Sequence, residues 1–321
     1  MAIAEACAPS PLKLMAKYGT HGRNKAHGHS SWPRMTPMNK TAVQSKPSAA
    51  LPVYVGCAGW ALSSKVAALF PAEGSHLERY AQLFPSVEIN SSFYRPHQTK
   101  TYARWAASVP AAFRFCVKIP RAVTHELRLR QADAALGAFV DQAAGLGDKL
   151  GRLLLQLPPS LALNRHEALG FFAVLRGLTS VPVVCEPRHA SWFTPEAADM
   201  LRDAGVACVH ADPLPVPGVE PAGHPHTLYI RLHGAPEIYY SAYSDAFIEA
   251  LAPRIAAARR AGRQVWCIFD NTARGAAIPN AWTLMQRLRP MQHSSACPDA
   301  SQHTSQHASR HTSQCTTRCP S

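Results

Sequence analysis

Between residues 51 and 290, eight apolar runs rich in Val, Ile, Phe and Leu alternate with segments that carry the apolar spacing of helices. This alternation is typical of βα units that build a parallel sheet. The predicted strands cover residues 53–57, 86–91, 113–118, 152–157, 181–186, 207–211, 228–232 and 264–270. The predicted helices cover residues 77–84, 100–108, 133–144, 165–177, 195–204, 245–261 and 279–289.

The first predicted strand leads into Gly56-Cys57-Ala58-Gly59-Trp60, which lacks the phosphate loop G-x-G-x-x-G found in many open nucleotide-binding sheets. Eight parallel strands in a chain of this length instead favour an α/β fold with a closed (β/α)8 barrel of the TIM type. The connection after the sixth strand is the exception, because its prolines forbid a regular helix. These prolines are Pro213, Pro215, Pro217, Pro221 and Pro225.

The two ends of the chain differ from its middle. Residues 1–50 mix Ala, Pro, Ser, His and Lys without a sustained period, and residues 291–321 repeat Ser-Gln-His and His-Thr-Ser fragments. Segments with so few apolar residues cannot pack a core. We therefore expect a disordered basic arm over 1–50, one barrel domain over 51–290 and a disordered low-complexity tail over 291–321.

The formal net charge of +13 suggests a nucleic-acid partner until the positions of the basic residues are considered. Seven of them precede Leu51, in a segment whose single acid is Glu5, so the barrel itself carries a smaller excess. A basic arm of this kind is more often a solvated extension than a segment that binds nucleic acid. The favoured partner is therefore a small polar or anionic ligand, and nucleic acid is an alternative that the sequence does not favour.

Location follows from apolar runs and cysteines. No segment reaches the roughly 18 consecutive apolar residues of a membrane span, and no secretory signal begins the chain. Five cysteines lie inside strand-like apolar runs without a C-x-x-C pair, which is typical of a reducing compartment. They are Cys57, Cys116, Cys185, Cys208 and Cys267. The sequence predicts a cytoplasmic protein without membrane attachment.

Polar residues recur at the C-terminal ends of the predicted strands, where TIM-type barrels build their active sites. Side chains alternate along a strand, so residues two apart share a face, as Glu186 and Arg188 do. Helices cover the outside of a barrel, so charged side chains on the outer face of a strand would be buried against apolar helices. Charged groups are therefore expected to point into the barrel. We expect one solvent-filled pocket lined by Glu88, Asn90, Lys118, Glu186, Arg188, Arg231, His233 and Asp270.

Three cations beside three carboxylates give a nearly neutral pocket, which suits a sugar-like or phosphorylated substrate held by Arg and Lys. Glu88 or Glu186 is the expected general base, and His233 the expected acid or proton shuttle. With Lys118 these residues form the predicted catalytic set of a hydrolase, lyase or isomerase. The predicted substrate contacts are Asn90, Arg188, Arg231 and Asp270, with His125 on the loop after the third strand. No pattern identifies a cofactor.

Three other interpretations remain open. The charged residues would serve stability alone if they only neutralised one another in a buried network. A divalent metal would make the protein a phosphodiesterase-like or nucleic-acid-processing barrel, although Lys118 and Arg231 would repel a dication. The available ligands would be Glu88, Glu186, His210, Asp212, His233 and Asp270. A binding module without turnover would use an aromatic rim made of Trp60, Phe93, Tyr94 and Trp192.

Seven ordered motifs resemble the YecE-like proteins of unknown function, over residues 55 to 288. They are VGCAGW (55–60), VEINSSFYRP (87–96), FRFCVKIPRAVTH (113–125), LLLQLPPS (153–160), EPRHASWF (186–193), YIRLHG (229–234) and FDNTARGAAIPNA (269–281). The resemblance implies a TIM barrel and no assigned activity. Pro187, where Phe is usual in that family, and the less polar Cys57-Ala58 pair depart from the family pattern without removing a charged group.

The resemblance also implies site residues beyond those that the strand pattern indicates. Tyr94, Gln156, Trp192 and Asn271 match recurring positions of the family and are added to the predicted substrate contacts. The recurring positions are matched here by Glu88, Asn90, Phe93, Tyr94, Lys118, His125, Gln156, Glu186, Arg188, Trp192, Arg231, His233, Gly234, Asn271 and Asn280.

Overall fold

The computed structural model describes residues 51–293, with side chains up to Arg289. Eight parallel strands alternate with helices in a nearly closed TIM-type barrel, which confirms the predicted fold. The strands are β1 Val53–Cys57, β2 Ser86–Ile89, β3 Arg114–Lys118, β4 Leu150–Gln156, β5 Val183–Glu186, β6 Ala207–Asp212, β7 Thr227–Leu232 and β8 Gln264–Phe269. Each predicted strand forms, and no strand end differs from its predicted position by more than two residues.

The helices lie between and after the strands. They are α1 His76–Leu83, α2 Ser91–Tyr94, α3 Thr99–Ala107, α4 Asp133–Ala143, α5 Arg165–Leu178, α6 Pro195–Asp203, α7 Asp245–Arg260 and α8 Ala277–His293. The short α2 and a π-helical turn at Ala122–Glu126 were not predicted, because segments of four or five residues carry no helical period. Between residues 51 and 293 there are also three 3-10 segments: Ala67–Leu69, Ala144–Lys149 and Ala190–Trp192.

The ends of the chain were predicted as arm and tail. Residues 1–50 lie outside the described residues, and so does the predicted tail from residue 294 onward. Residues 291–293 are the exception, because α8 continues through them to His293. None of the described helices combines the length and the hydropathy that a membrane span requires.

Several helices begin where the sequence supplies a capping side chain. Ser75 and Glu78 form a reciprocal capping box at the start of α1. Asn164, Thr194 and Ser244 each accept a hydrogen bond from a backbone N–H in the first turn of α5, α6 and α7. These caps fix where each helix leaves its loop and therefore help to set the loops above the barrel.

The strand faces agree with the predicted alternation. One apolar cluster fills the barrel interior and includes Leu154, Val184, Tyr229 and Trp266, of which Tyr229 and Trp266 stack with ring centroids 6.0 Å apart. A larger apolar cluster lies between the outer strand faces and the helices. Because the interior is packed with side chains, a ligand can enter only above or below this layer.

The connection after β6 runs to β7 without a helix over residues 213–226, as the prolines predict. The junction of β1 and β2 is the other irregular part of the barrel. These two strands are joined by an isolated parallel bridge between Ala58 and Glu88 and not by a continuous ladder of hydrogen bonds. The buried Tyr80 hydroxyl completes the junction. It accepts from the Cys57 N–H at 2.8 Å and donates to the Ser86 carbonyl at 3.0 Å.

Gly56 lies at this junction, where an added Cβ would overlap the Ser86 backbone carbonyl. We predict that Gly56→Ala lowers the free energy of unfolding by about 1–3 kcal/mol, because the two strands must separate. Gly170→Ala in α5 is the matched control, since nothing lies within 4 Å of its added Cβ. It should raise that free energy by about 0.5–1 kcal/mol. Urea unfolding measures both, and shifts of the same sign would contradict the prediction.

Candidate active site at the C-terminal ends of the strands

A fully buried guanidinium organises the barrel mouth. Arg231 on β7 has 0% exposure and donates to three carboxylates from β2, β5 and the end of β8. Its Nε and Nη2 bind Glu88 at 3.1 and 2.5 Å, Nη1 binds Glu186 at 2.7 Å, and Nη2 also binds Asp270 at 3.0 Å. Most of its N–H donors are therefore occupied inside the protein.

Two carboxylates of this cluster, Glu186 and Asp270, are held in their charged form. Burial alone would raise the pKa of Glu186, but Arg231 and His233 outweigh burial and hold that pKa well below its usual range. The same balance of burial against Arg231 and His233 lowers the pKa of Asp270. Glu88 is 0% exposed and also accepts from the Tyr229 hydroxyl at 2.9 Å. These oxygens lie beneath the surface that a ligand would meet.

His233 links two of these carboxylates. Its Nδ1 lies 3.0 Å from Asp270 Oδ2, and its Nε2 lies 3.0 Å from Glu186 Oε1. Burial would lower the pKa of His233, but the two carboxylates outweigh burial and raise it. An imidazole between two carboxylates is stabilised as the doubly protonated cation, because each ring nitrogen then donates.

Lys118 at the end of β3 differs from the other charged groups. It is 7% exposed, and its ammonium makes no salt bridge to any residue in the described part of the chain. Its Nζ lies 4.1 Å from the centroid of the Phe93 ring. Burial and then Arg231 lower the pKa of Lys118 to about 8, with the three carboxylates opposing them. This amine therefore loses its proton near pH 8, well below the ordinary range of a lysine.

Other predicted contacts surround Lys118 and the cluster. Asn90 donates to Asp270 Oδ1 at 3.3 Å, and Arg188 binds Glu186 while 23% of its side chain stays exposed. His125 stands edge-on to Phe93 with ring centroids 5.0 Å apart. Burial and the nearby Lys118 lower the pKa of His125. Gln156 pairs with Glu186 in the β4–β5 register, which places it beside the cluster.

Some predicted residues lie away from this cluster. Trp192 is 2% exposed and donates from Nε1 to the Leu161 carbonyl, so its contacts are those of loop packing. Asn271 is buried and donates to the Ser241 carbonyl and to Asn280. Tyr94 is 77% exposed and leans edge-on against Phe93. The alternation of side chains along a strand could not show that these residues lie outside the cluster, because they are in loops and the alternation applies only within strands.

Four of the residues considered as metal ligands, Glu88, Glu186, His233 and Asp270, meet around Arg231, whereas His210 and Asp212 have other partners. His210 binds Arg254 at 2.9 Å and Glu220 at 3.2 Å, and Asp212 accepts from the Tyr243 hydroxyl at 2.8 Å. Among the described residues, no three His, Cys, Asp or Glu side chains are arranged to hold a metal ion. The oxygens that a cation would need instead accept from Arg231.

Tyr239 was missed by the sequence reasoning. It lies in the loop after β7 with a positive φ of 72°, and its ring stands edge-on to His233 at a centroid distance of 5.8 Å. Its position depends on how that loop turns back over the mouth, which no strand or helix period predicts. Beside the mouth, a groove of about 680 Å³ lies between the loops after β1 and β8. Its lining includes Trp60, Lys65 and Arg274.

The family model described as protein of unknown function DUF72 matches residues 54–305, which is most of the chain. The chain belongs to the DUF72 family. This confirms the YecE-like resemblance of the motifs, and no substrate or activity accompanies the family.

Relatives of this DUF72 chain include the UPF0759 protein YecE of Escherichia coli K12, which is 30% identical over 164 residues. That match covers 48% of this chain and 57% of YecE. The UPF0759 protein YunF of Bacillus subtilis is 22% identical over 276 residues, covering 77% of this chain and 98% of YunF.

Solved structures of the family share the fold. A DUF72 protein of Thermotoga maritima superposes with a TM-score of 0.63 at 25% identity, covering 74% of this chain and 99% of its own. A DUF72 protein of Enterococcus faecalis superposes with a TM-score of 0.62 at 21% identity, covering 75% and 99%. These likenesses support the TIM-barrel architecture of the family.

Removal of the Arg231 guanidinium tests how much this cation contributes to the stability of the fold. Arg231→Met leaves the carboxylates of Glu88, Glu186 and Asp270 buried together, so we predict a loss of about 3–5 kcal/mol in unfolding free energy at pH 7. The loss should shrink at pH 5, because carboxyls without Arg231 bind protons more readily in the folded state than in the unfolded state. Denaturant titrations at the two pH values measure this change.

The control for this variant is Arg254→Met, which removes an ion pair whose Arg254 and Glu220 side chains are 47% and 70% exposed. It should cost less than about 1 kcal/mol at either pH. Equal losses in the two variants would contradict the central position of Arg231.

Lys118 should behave in the opposite way. Its folded pKa of about 8 lies below the ordinary 10.5, so Lys118 lowers the stability of the folded state progressively as the pH falls from 10.5 to 8, and the whole loss is present below pH 8. We predict that Lys118→Met raises the unfolding free energy at pH 7 by about 1–3 kcal/mol, and that this gain disappears as the pH rises toward 10.5. Denaturant titrations at several pH values measure this change. If Lys118→Met were less stable than the original protein at pH 7, the conclusion that the Lys118 amine lacks a stabilising partner would be wrong.

Proposed function

We propose that this DUF72 protein is an enzyme that acts on a small polar, sugar-like or phosphorylated substrate at the C-terminal ends of its strands. The observation that supports this most is the Lys118 amine, which is buried in the mouth without a carboxylate partner in the described chain. A buried, unpaired amine costs stability, and such groups with shifted pKa values cluster at functional sites.

In this proposal Lys118 and His125 carry out proton transfer. Both flank the Phe93 ring, and burial lowers the pKa of each side chain. A base works best when its pKa lies near the working pH, so a neutral Lys118 amine fits proton abstraction from a substrate carbon or hydroxyl. The reaction class that follows is a lyase or isomerase.

The charged cluster takes a positioning function rather than the direct catalysis first expected of Glu88, Glu186 and His233. Their polar atoms are engaged with Arg231 or with one another, and each side chain is nearly fully buried. The charges of the cluster would instead set the electrostatic environment of the Lys118 amine. Glu186 would also hold the Arg188 guanidinium at the edge of the barrel mouth. Arg188 retains 23% exposure, which suits it to bind the anionic part of a substrate.

Room for the rest of the substrate lies in the groove between the loops after β1 and β8. This groove continues from Ala58, the residue that bridges to Glu88, and from Thr272 just beyond Asp270. Lys65 on its lining adds positive charge, and so does Arg274, although Glu237 lies 3.5 Å from the Arg274 guanidinium. A phosphorylated substrate would therefore meet cations at both ends of the site.

A metabolite screen by thermal unfolding tests the proposal, with phosphorylated and unphosphorylated sugars as the main arms. A compound present at 100 times its Kd stabilises the folded state by about 2.7 kcal/mol, which gives a clear rise in Tm. We expect at least one such compound to raise the Tm, and both Lys118→Met and Arg188→Met to abolish that rise.

The matched control is Arg202→Met, which removes an exposed α6 cation paired with Asp199 and should leave the shift unchanged. A compound whose shift survives Lys118→Met and Arg188→Met would argue against this site. Chromatography of the hits after incubation then tests turnover, whose rate should rise with pH toward about 8 as Lys118 loses its proton.

A further inference from the structure

A second charged cavity lies at the opposite, N-terminal end of the barrel. Its volume is about 430 Å³, and it opens between the first residues of β5, β6, β7 and β8. The residues that matter here are Arg152, Arg176, His224, His226, Thr227 and Gln264, and the described lining contains no Asp or Glu. We call it the basal cavity.

Arg152 on β4 is the most unusual of these residues. It is 6% exposed, yet its hydrogen-bond acceptors are neutral: the Gly151 carbonyl at 2.7 Å, the Thr227 hydroxyl at 3.1 Å and the Gln264 side-chain oxygen. Its buried Nε has no acceptor among the described residues. No salt bridge neutralises it in the described chain, in contrast to Arg231 at the other end.

One neighbouring side chain, Arg176, adds a second positive charge, and two histidines lie close by. Arg176 is held over the cavity by the carbonyls of Val181 and Gly205, at 2.9 and 3.2 Å from its terminal nitrogens. The rings of His224 and His226 lie 4.9 Å apart. Burial, then His226 and Arg176, lower the pKa of His224, as expected of a site that lacks a negative charge.

We infer that the basal cavity binds a small phosphate-bearing anion. A buried guanidinium without a counter-charge is costly, whereas a phosphate oxygen would neutralise Arg152 and accept from Arg176. The volume of about 430 Å³ lies within the range of small-molecule sites. A bound anion would also favour protonation of His224. This site is separate from the proposed active site, because the packed layer around Tyr229 and Trp266 fills the barrel between them.

Histidine NMR of the full-length chain tests the inference, with pyrophosphate as the probe at constant ionic strength. The imidazole signals of His224 and His226 should move in a saturable way, and the pKa of His224 should rise when the site is full. His76 and His166 are exposed elsewhere on the barrel and should not respond. Single His→Gln variants assign the signals.

Arg176→Gln carries the mutational test, because Arg176 is bonded only to carbonyls in the described chain and its loss should not prevent folding. It should weaken pyrophosphate binding at least about tenfold, the effect of losing one charge-assisted contact. Arg202→Gln makes the same charge change on α6 beside Asp199 and should leave the affinity unchanged.

Three results would overturn the inference. One is the lack of saturable movement at His224 and His226, and another is an equal weakening by Arg176→Gln and Arg202→Gln. The third is loss of these shifts in Lys118→Met, which would place the anion at the barrel mouth. Binding that survives Lys118→Met supports the basal cavity whether or not the mouth is an active site.

Discussion

The burial of the Arg231 guanidinium is the constraint on which the barrel mouth depends. A cation with no exposure must be neutralised by groups that reach it, and Glu88, Glu186 and Asp270 do so from three strands around the ring. This ties β2, β5 and β8 to β7 and keeps the acidic oxygens turned inward. The carboxylates that look most catalytic in the sequence are consequently the ones least available to a ligand.

The availability of Lys118 follows from the same constraint. Because the carboxylates are engaged with Arg231 and His233, no acidic partner in the described chain pairs with the Lys118 amine, and burial lowers its pKa to about 8. Arg188 and His125 remain near the surface beside it. These three side chains are the ones to which the proposed function assigns proton transfer and substrate binding.

The two ends of the barrel interior are electrically different. Arg231 and Arg152 both occupy the inner face of their strands, but the first meets three carboxylates and the second meets neutral acceptors. The aromatic layer of Tyr229 and Trp266 separates them. A buried guanidinium is stable when an anion neutralises its charge. The ligand inferred for Arg152, at the N-terminal end of the barrel, is therefore negatively charged.

Sequence alone determined the βα alternation, the loop after β6 and the inner parity of Glu88, Lys118, Glu186, Arg231 and Asp270, because these follow from local spacing, proline geometry and alternation along a strand. Only the tertiary structure decided which charges pair. It set Arg231 against three carboxylates, left Lys118 and Arg152 without an acidic partner in the described chain, and turned Trp192 and Asn271 into loop packing. Pairing depends on distances between strands far apart in the chain, and one-dimensional periodicity does not contain those distances.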